Sequence, residues 1–432
     1  MNQEIQKTAQ QARQASLATA ALMTQDKNHA LTNIGKALQA NAEKIIIANA
    51  EDLAQAEKEN LNQALLKRLK FDQAKLDVAV EGIAQLIRLN DPVGRTLGCT
   101  ELDKGLELYQ VTSPIGVLGI IFESRPDALV QISTLALKSG NAVLLKGGTE
   151  AVKTNHALAD VIYQASVEAG MPEHWMALLE TRQDVNDILA QDDSIDLIIP
   201  RGSNALVKYI MDNTRIMVLG HADGICHVYI DKDADLDMAV NIAFDAKCQY
   251  AAVCNAMETL LVDQAIAAKF LPRIKEKYDA AGVELRGDAK TCKIIEADDA
   301  TEEDWQTEYN DLILSIKIVN GIDEAIDHIN GYSSHHTDSI VTENAEAATQ
   351  FMDRIDSAGV YWNVSTRFAD GFVYGLGAEV GISTHKIHAR GPVGLEGLVS
   401  YKYKLIGKGQ TMAEYTTDKK LNHKPLNKKF SL

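Results

Sequence analysis

The 432-residue chain carries 60 acidic against 43 basic residues, a net charge of −17, with 46% hydrophobic and 24% charged residues. That length exceeds what one hydrophobic core serves, so two or more domains are expected. The acidic balance excludes the basic footprint of a nucleic-acid-binding protein, though not a local anion site built from backbone N–H groups and an arginine.

The opening "MNQEIQKTAQQARQ" has no apolar signal core, and no later apolar run reaches bilayer length, so a cytoplasmic protein without a membrane partner is expected. The odd, sparse set of cysteines, Cys99, Cys226, Cys248, Cys254 and Cys292, reads as thiols of a reducing compartment. Residues 1–90 are rich in Ala, Gln, Leu and Lys, and "HALTNIGKALQANAEKIIIANAEDLAQAEKENL" has helical spacing, so several helices are predicted. After the break "NDPVG", the stretch "LELYQVTSPIGVLGIIFES" places β-prone residues around a Pro-Ile-Gly turn, its second half a buried strand.

Helix and strand then alternate. "DALVQISTLALKSG" is a helix with a glycine stop, "NAVLLKGG" a strand opening into a glycine turn, and "NHALADVIYQASVEAG" the next helix. "WMALLE", "VNDILAQ", "IDLIIPRGS", "ALVKYIMDN" and "RIMVLG" continue the series. Such alternation predicts an α/β fold with a doubly wound, mostly parallel sheet. A second series starts after "HADGICHVYID", with "DLDMAVNIAFDAK", "ETLLV", "QAIAAKFLPRIKEKYDAAG", "VELRG", "LILSIKIV", "GIDEAIDHING", "TDSIV" and "AGVYWNVS". The boundary is therefore placed near residue 225. The glycine-rich run from 365 reads as site loops and one late strand. The basic end "DKKLNHKPLNKKFSL" reads as a disordered tail.

Three strand ends carry candidate chemistry. Lys146-Gly147-Gly148 lies between a strand and a helix, where open α/β sheets bind ligands, and Lys146 could meet a ribose or phosphate. It matches neither a P-loop nor a GxGxxG fingerprint, and taken alone a surface turn with a solvated Lys explains it slightly better. Arg201-Gly202-Ser203 repeats the geometry, its helix N-terminus suited to a pyrophosphate. Arg125, in "FESRPD", could hold a carboxylate or acyl phosphate, or be tied up by Glu123 or Asp127. The His335/His336 and His385/His388 pairs lack metal-site spacing and read as structural or solvent-exposed; His221, at the predicted domain seam, is the more suspect histidine. No metal is expected.

The stretch "AKCQYAAVCNAMETLLV" places Cys248 at the end of a helix and Cys254 in the turn before a strand. A catalytic thiol needs access, a lowered pKa and oxyanion donors. The residues alone leave the two thiols tied.

The motifs "SPIGVLGIIFESRPD", "NAVLLKGG", "DLIIPRG", "CNAMETLLV", "EYNDLILSIKIV", "RFADGF" and "GLGAEVGISTHKIHARGPVGLEGL" resemble the gamma-glutamyl phosphate reductase family, a branch of the aldehyde dehydrogenase superfamily. The resemblance spans almost the whole chain, short of the tail beyond about 416. It implies an aldehyde-dehydrogenase-like pair of doubly wound α/β domains with a small oligomerisation β element. It implies NADPH-dependent reduction of L-glutamyl 5-phosphate to glutamate 5-semialdehyde through a thioester on Cys254, in proline biosynthesis. Lys146, Gly147, Gly148, Arg201, Gly202, Ser203 and Glu308 fall to the cofactor. Ser124, Arg125, Asn255, Ser383, Thr384 and Arg390 fall to the substrate. Cys248 becomes a small apolar residue. Residues 1–225 form the helical and dinucleotide-binding part, interrupted near 101–113, and 226–396 the thiol domain, with parts of 365–396 packing back at the site. Strands 101–113 and 397–416 join subunits of a homodimer or higher homo-oligomer, and 417–432 is a flexible tail. Glutamate 5-kinase is the implied supplier of substrate. Two departures stand out: Ser124 and Arg125 occupy the place of the superfamily's carbonyl-polarising Asn, and "VLGHADG" has no counterpart of the water-activating Glu of "ELGGK". The second fits a thioester that is reduced or attacked by phosphate, not hydrolysed.

Overall fold

The computed structural model describes residues 3–179, 182–220, 223–377, 379–417 and 419–431. The chain divides into two compact units, the first made of 1–219, 377–381 and 393–432 and the second of 220–376 and 382–392.

The first unit opens with five helices, α1 (Gln3–Thr19), α2 (Thr24–Ala40), α3 (Ala42–Lys58), α4 (Gln63–Leu69) and α5 (Gln73–Arg88). A hairpin, β1 (Thr96–Asp103) and β2 (Leu106–Pro114), precedes β3 (Val117–Phe122), α6 (Pro126–Lys138), β4 (Ala142–Lys146) and α7 (Val152–Glu168). Then come β5 (Met176–Leu179), α8 (Arg182–Leu189), β6 (Leu197–Arg201), α9 (Asn204–Asp212) and β7 (Met217–Val218). The sheet runs β5-β4-β3-β6-β7, all neighbours parallel. Every residue of β3 and β4 is buried, which is why these strands read as unbroken apolar runs: helices cover both faces. Pro126 starts α6 at its first turn, where a missing N–H costs nothing, and Gly140 (φ +72°) follows its end.

The second unit holds β8 (Cys226–Ile230), α10 (Leu236–Cys248), β9 (Met257–Asp263), α11 (Gln264–Ala281), β10 (Glu284–Gly287) and β11 (Asp298–Asp299). It continues with β12 (Ile313–Val319), α12 (Ile322–Tyr332), β13 (Thr337–Val341), α13 (Ala345–Arg354) and β14 (Gly359–Trp362). Its seven strands lie in the order β11-β10-β12-β9-β8-β13-β14, again parallel throughout. Val228, Ile230, Leu260, Val262, Phe270, Leu271 and Ile316 sit at the centre of its core, all fully enclosed. No helix among the described residues is long and apolar enough to cross a membrane.

The chain then forms β15 (Gly381–Ser383), β16 (Gly391–Val393), β17 (Val399–Ile406), α14 (Met412–Thr417) and β18 (Lys424–Pro425). The division between the units falls within β15 and β16, so residues 393–396 join the first unit and not the second. β17 pairs with β2 over eight residues, making a separate antiparallel sheet ordered β17-β2-β1-β18. The expected free tail is corrected here. β18 pairs with β1, Leu426 N–H donates to Cys99 O at 2.8 Å, and Phe430 packs edge-on against Tyr109 at 5.4 Å. Lys428 bonds Glu107 at 2.6 Å. Lys428 and Lys419, two of the lysines that suggested a solvated end, are charged partners of Glu107 and Asp103 in this strip.

Candidate active site

In the first unit, β3, β4 and β6 end side by side, with Ile121 opposite Lys146 and Phe122 opposite Arg201. Their turns therefore bring Ser124-Arg125, Lys146-Gly147-Gly148 and Arg201-Gly202-Ser203 to one carboxyl edge, where parallel sheets bind ligands. Lys146 is only 4% exposed and donates to Gly147 O, so it is not a solvated surface lysine. A groove beside it is lined by Gly147, Gly148, Val152, Asn155, Leu178 and Leu179. Asn155 is buried, and its Oδ1 has no partner in the structure; a buried acceptor left this way calls for a donor from outside the fold.

Carboxylates occupy several donors of this edge. Ser203 caps α9 through its hydroxyl, yet its own N–H donates to Glu123 Oε2 at 2.8 Å. The picture of an open helix N-terminus at 201–203 is corrected to that extent. Ser124 sits at φ +46°, a left-handed conformation rare outside glycine. It is held there by Glu150 Oε1, which accepts from Ser124 N at 2.5 Å and Oγ at 2.7 Å. A Cβ on Gly148 would lie 2.1 Å from that carboxylate oxygen, so glycine leaves the room Glu150 uses. Arg125 pairs with Asp127 at 2.9 Å, the ion pair that competed with its ligand role, and its side chain stays half exposed. The sequence points to Glu123 only as an ion-pair partner for Arg125 and does not single out Glu150, whose only signal is an acid two residues after the Gly147-Gly148 turn.

The second unit gathers its candidates at the opposite, amino edge. Cys226 lies opposite Met257 in the β8–β9 register, so loop 249–256 stands at the start of these strands. Cys254 is half-buried within it. Cys226 Sγ donates to Cys254 O at 3.3 Å, and burial pushes the Cys226 thiol well up. Gly224 is pressed against the same residue: a Cβ there would come within 2.3 Å of Cys254 Cα and O. Asn255 is buried, donates Nδ2 to Ala369 O at 3.0 Å, and leaves Oδ1 without a partner. Cys248, in the last turn of α10, packs against the core, and burial raises its thiol to about 11 despite the neighbouring Lys247.

Glu308 lies in the loop leading into β12, whose parallel pairing with β9 puts it on the same amino edge. Below it runs a buried ion pair, Lys247 Nζ to Glu258 Oε2 at 2.6 Å, both side chains fully enclosed. Burial pushes Glu258 up to about 7 and Lys247 down, and the bond between them opposes both shifts. Ser383 is fully buried with Oγ unpartnered. Arg390 donates Nε to Thr384 O at 3.2 Å and Nη2 to Asp356 O at 3.0 Å. Asp356 precedes β14, so the 383–390 segment is also tied to the amino edge. Lys386 pairs with Asp356 too, at 2.6 Å. His221 lies outside the described residues, and His336 is buried on β13's approach with Nδ1 2.9 Å from Thr337 Oγ1.

Comparison with known proteins matches residues 1–302 to the model of the aldehyde dehydrogenase family. The chain is 61% identical over 430 residues to the gamma-glutamyl phosphate reductase of Pelotomaculum thermopropionicum, covering 99% of each chain. It is 54% identical to that of Methanococcoides burtonii over 444 residues, covering 100% of this chain and 99% of the other. The crystal structure of the Thermotoga maritima gamma-glutamyl phosphate reductase superposes with a TM-score of 0.93 at 41% identity, over 94% of this chain and 99% of that one. An acetylating aldehyde dehydrogenase from Geobacillus thermoglucosidasius, 16% identical with a TM-score of 0.63 over 95% and 97% of the two chains, shares the fold.

Proposed function

The chain belongs to the gamma-glutamyl phosphate reductases of the aldehyde dehydrogenase family, and from that premise we propose that it reduces L-glutamyl 5-phosphate to L-glutamate 5-semialdehyde and phosphate. The observation that carries the reading is near-complete coverage at high identity. It is joined to a thiol placed on a loop backed by Gly224 and Cys226. In this reading the Cys254 thiolate attacks the γ-acyl carbon. The bond between that carbon and the bridging oxygen breaks, and phosphate departs with the oxygen and the electron pair, leaving a thioester. NADPH, when bound, supplies the hydride that reduces this thioester to the aldehyde level. The carbon–sulfur bond of the resulting hemithioacetal then breaks, returning the electron pair to Cys254 and releasing the semialdehyde. Covalent catalysis divides one difficult transfer into two easier ones.

Lys146, the glycine turn and the unpaired Asn155 Oδ1 fit the hydroxyls and amines of a nucleotide. Arg201 and Ser203 are assigned to the same cofactor, and Glu308 to its nicotinamide ribose. Ser124, Arg125, Asn255, Ser383, Thr384 and Arg390 are assigned to the substrate. Asn255 and Ser383 act from buried positions through unpaired oxygens, and Arg390 acts while braced on Asp356. The acyl phosphate is chemically labile, so a kinase acting on the γ-carboxylate of glutamate, glutamate 5-kinase, supplies it. We place the enzyme in the cytoplasm as a homo-oligomer, joined through the exposed face of β17, where Tyr401, Tyr403 and Leu405 stand out to solvent.

The test is phosphate-dependent reduction of NADP with glutamate 5-semialdehyde, run on wild type and C254A. Activity in the wild type that C254A abolishes supports the reading. Activity unchanged in C254A, or independent of phosphate, removes it.

A further inference from the structure

We propose that the buried Lys247–Glu258 pair is a positioning element that fixes the loop bearing Glu308 against the base of the thiol loop. The proposal rests on the assignment of Glu308 to the nicotinamide ribose. Lys247 is the penultimate residue of α10 and Glu258 the second residue of β9. Between them runs the 249–256 segment that carries Cys254. The 2.6 Å bond from Nζ to Oε2 therefore closes that loop at its two ends. Glu258 uses its other oxygen on the neighbouring loop: Oε1 accepts the N–H of Asn310 at 3.3 Å, two residues after Glu308. Asn310 stands at φ +55°, a left-handed position that asparagine tolerates better than most residues. Between the two, Tyr309 lies under the Lys247 ammonium, 5.9 Å from its ring centre, and its hydroxyl meets Asp304 Oδ1 and Ser315 Oγ at 2.7 and 2.8 Å.

Stability alone does not call for this pair. Two enclosed charges gain little over apolar side chains of the same volume, because desolvation offsets their attraction. An apolar pair would close the thiol loop equally well. It could not offer an acceptor to Asn310 N–H, and that hydrogen bond ties the strand following Cys254 directly to the Glu308 loop. The cost of the buried charges is thus explained by what the second carboxylate oxygen holds.

Two double variants separate the acceptor from the charges. K247M/E258L fills the volume and removes the acceptor; K247M/E258Q also removes both charges but leaves an amide oxygen for Asn310. The readout is KM for NADP beside KM for glutamate 5-semialdehyde, with Tm measured for each. Loss of one such anchoring bond predicts a KM for NADP raised about tenfold in K247M/E258L. The KM for the semialdehyde stays within about twofold, and K247M/E258Q restores the nucleotide KM. A merely structural pair would lower Tm in both variants with no selective change in nucleotide KM. K247L/E258M, a second apolar filling, gives the same readout if the first repacks poorly. E308Q serves as the reference. If E308Q raises the nucleotide KM and the apolar variants do not, the positioning role is overturned while the Glu308 assignment stands. If E308Q leaves it unchanged, the assignment falls and the proposal with it.

Discussion

Replacing Gly224 by Ala tests whether the backbone behind Cys254 is built to a tolerance that the chemistry needs. The added methyl would lie 2.3 Å from Cys254 Cα, 2.3 Å from its carbonyl oxygen and 2.6 Å from its Cβ, where ordinary contact starts at 3.4 Å. Two of those atoms are backbone, so no rotamer change relieves the clash. Loop 249–256 or the 223–225 approach to β8 must give way by about 1 Å, and overpacking of this kind costs about 1–3 kcal/mol. A shift of that size at a nucleophile costs on the order of 100-fold in rate. The expected result is therefore a kcat for phosphate-dependent NADP reduction down about 100-fold, with a folded protein and a changed rate of Cys254 alkylation by iodoacetamide. Gly331 is the control. It lies in α12, nothing would stand within 4 Å of its Cβ, and G331A is expected to keep full activity while gaining up to about 1 kcal/mol from helix propensity. G224A with wild-type kcat and wild-type alkylation would show that the close packing has no bearing on the thiol.

Three other outcomes follow from the same geometry. C248A retains activity, since its thiol is held near 11 by burial and packs in the core; loss of activity in C248A with a normal Tm would reopen the choice of nucleophile. G148A puts a methyl 2.1 Å from Glu150 Oε1 and expels a flexible carboxylate, so KM for substrate or nucleotide rises about tenfold while Tm moves little. Asp304 titrates below the usual carboxylate range: burial opposes its charge, but hydrogen bonds from Arg286, the Thr301 amide and hydroxyl, and Tyr309 more than offset it. A depressed native pKa stabilises the fold above the unfolded value near ~3.9 and loses that contribution as pH falls below it. The Tm gap between wild type and D304N should be constant from about pH 5 to 8 and narrow below about pH 4.

Much of the fold could be read from unbroken apolar runs. "NAVLLKGG" is a strand with a glycine turn because β4 is buried on both faces and ends where a side chain would strike Asn155 or Glu150. The end of the chain was not readable in this way. β18 is a lysine and a proline, whose strand character comes only from pairing with Thr100 and Glu101, and Phe430 finds its partner 321 positions earlier. Local propensity carries no trace of such long-range pairing. The carboxylates that sit on Ser124 and Ser203 escaped for a related reason. An acid at a strand end or beside a glycine turn is ordinary composition until the fold shows which N–H it faces.

The edge used by each unit is the deeper difference. Parallel sheets bind ligands beyond the carboxyl ends of their strands because helix N-termini and short turns converge there. The candidate residues of the first unit follow that rule, with Ser124, Lys146 and Arg201 at or just beyond the ends of neighbouring strands. The candidates of the second unit reverse it: Cys254, Glu308 and the Asp356 that braces Arg390 all precede strands. Helix C-termini face that edge, so a thiolate there gains nothing from the helix dipole of α10, whose negative end points towards it. Its activation must then come from what the loop itself offers, namely the backbone amides of 253–256 and the groups brought against it. On the proposed assignment of Cys254, that makes loop geometry, guarded by Gly224, the property on which its reactivity depends. A Cys254 alkylation rate that stays constant in G224A, while kcat falls, would place the dependence in substrate or cofactor binding instead.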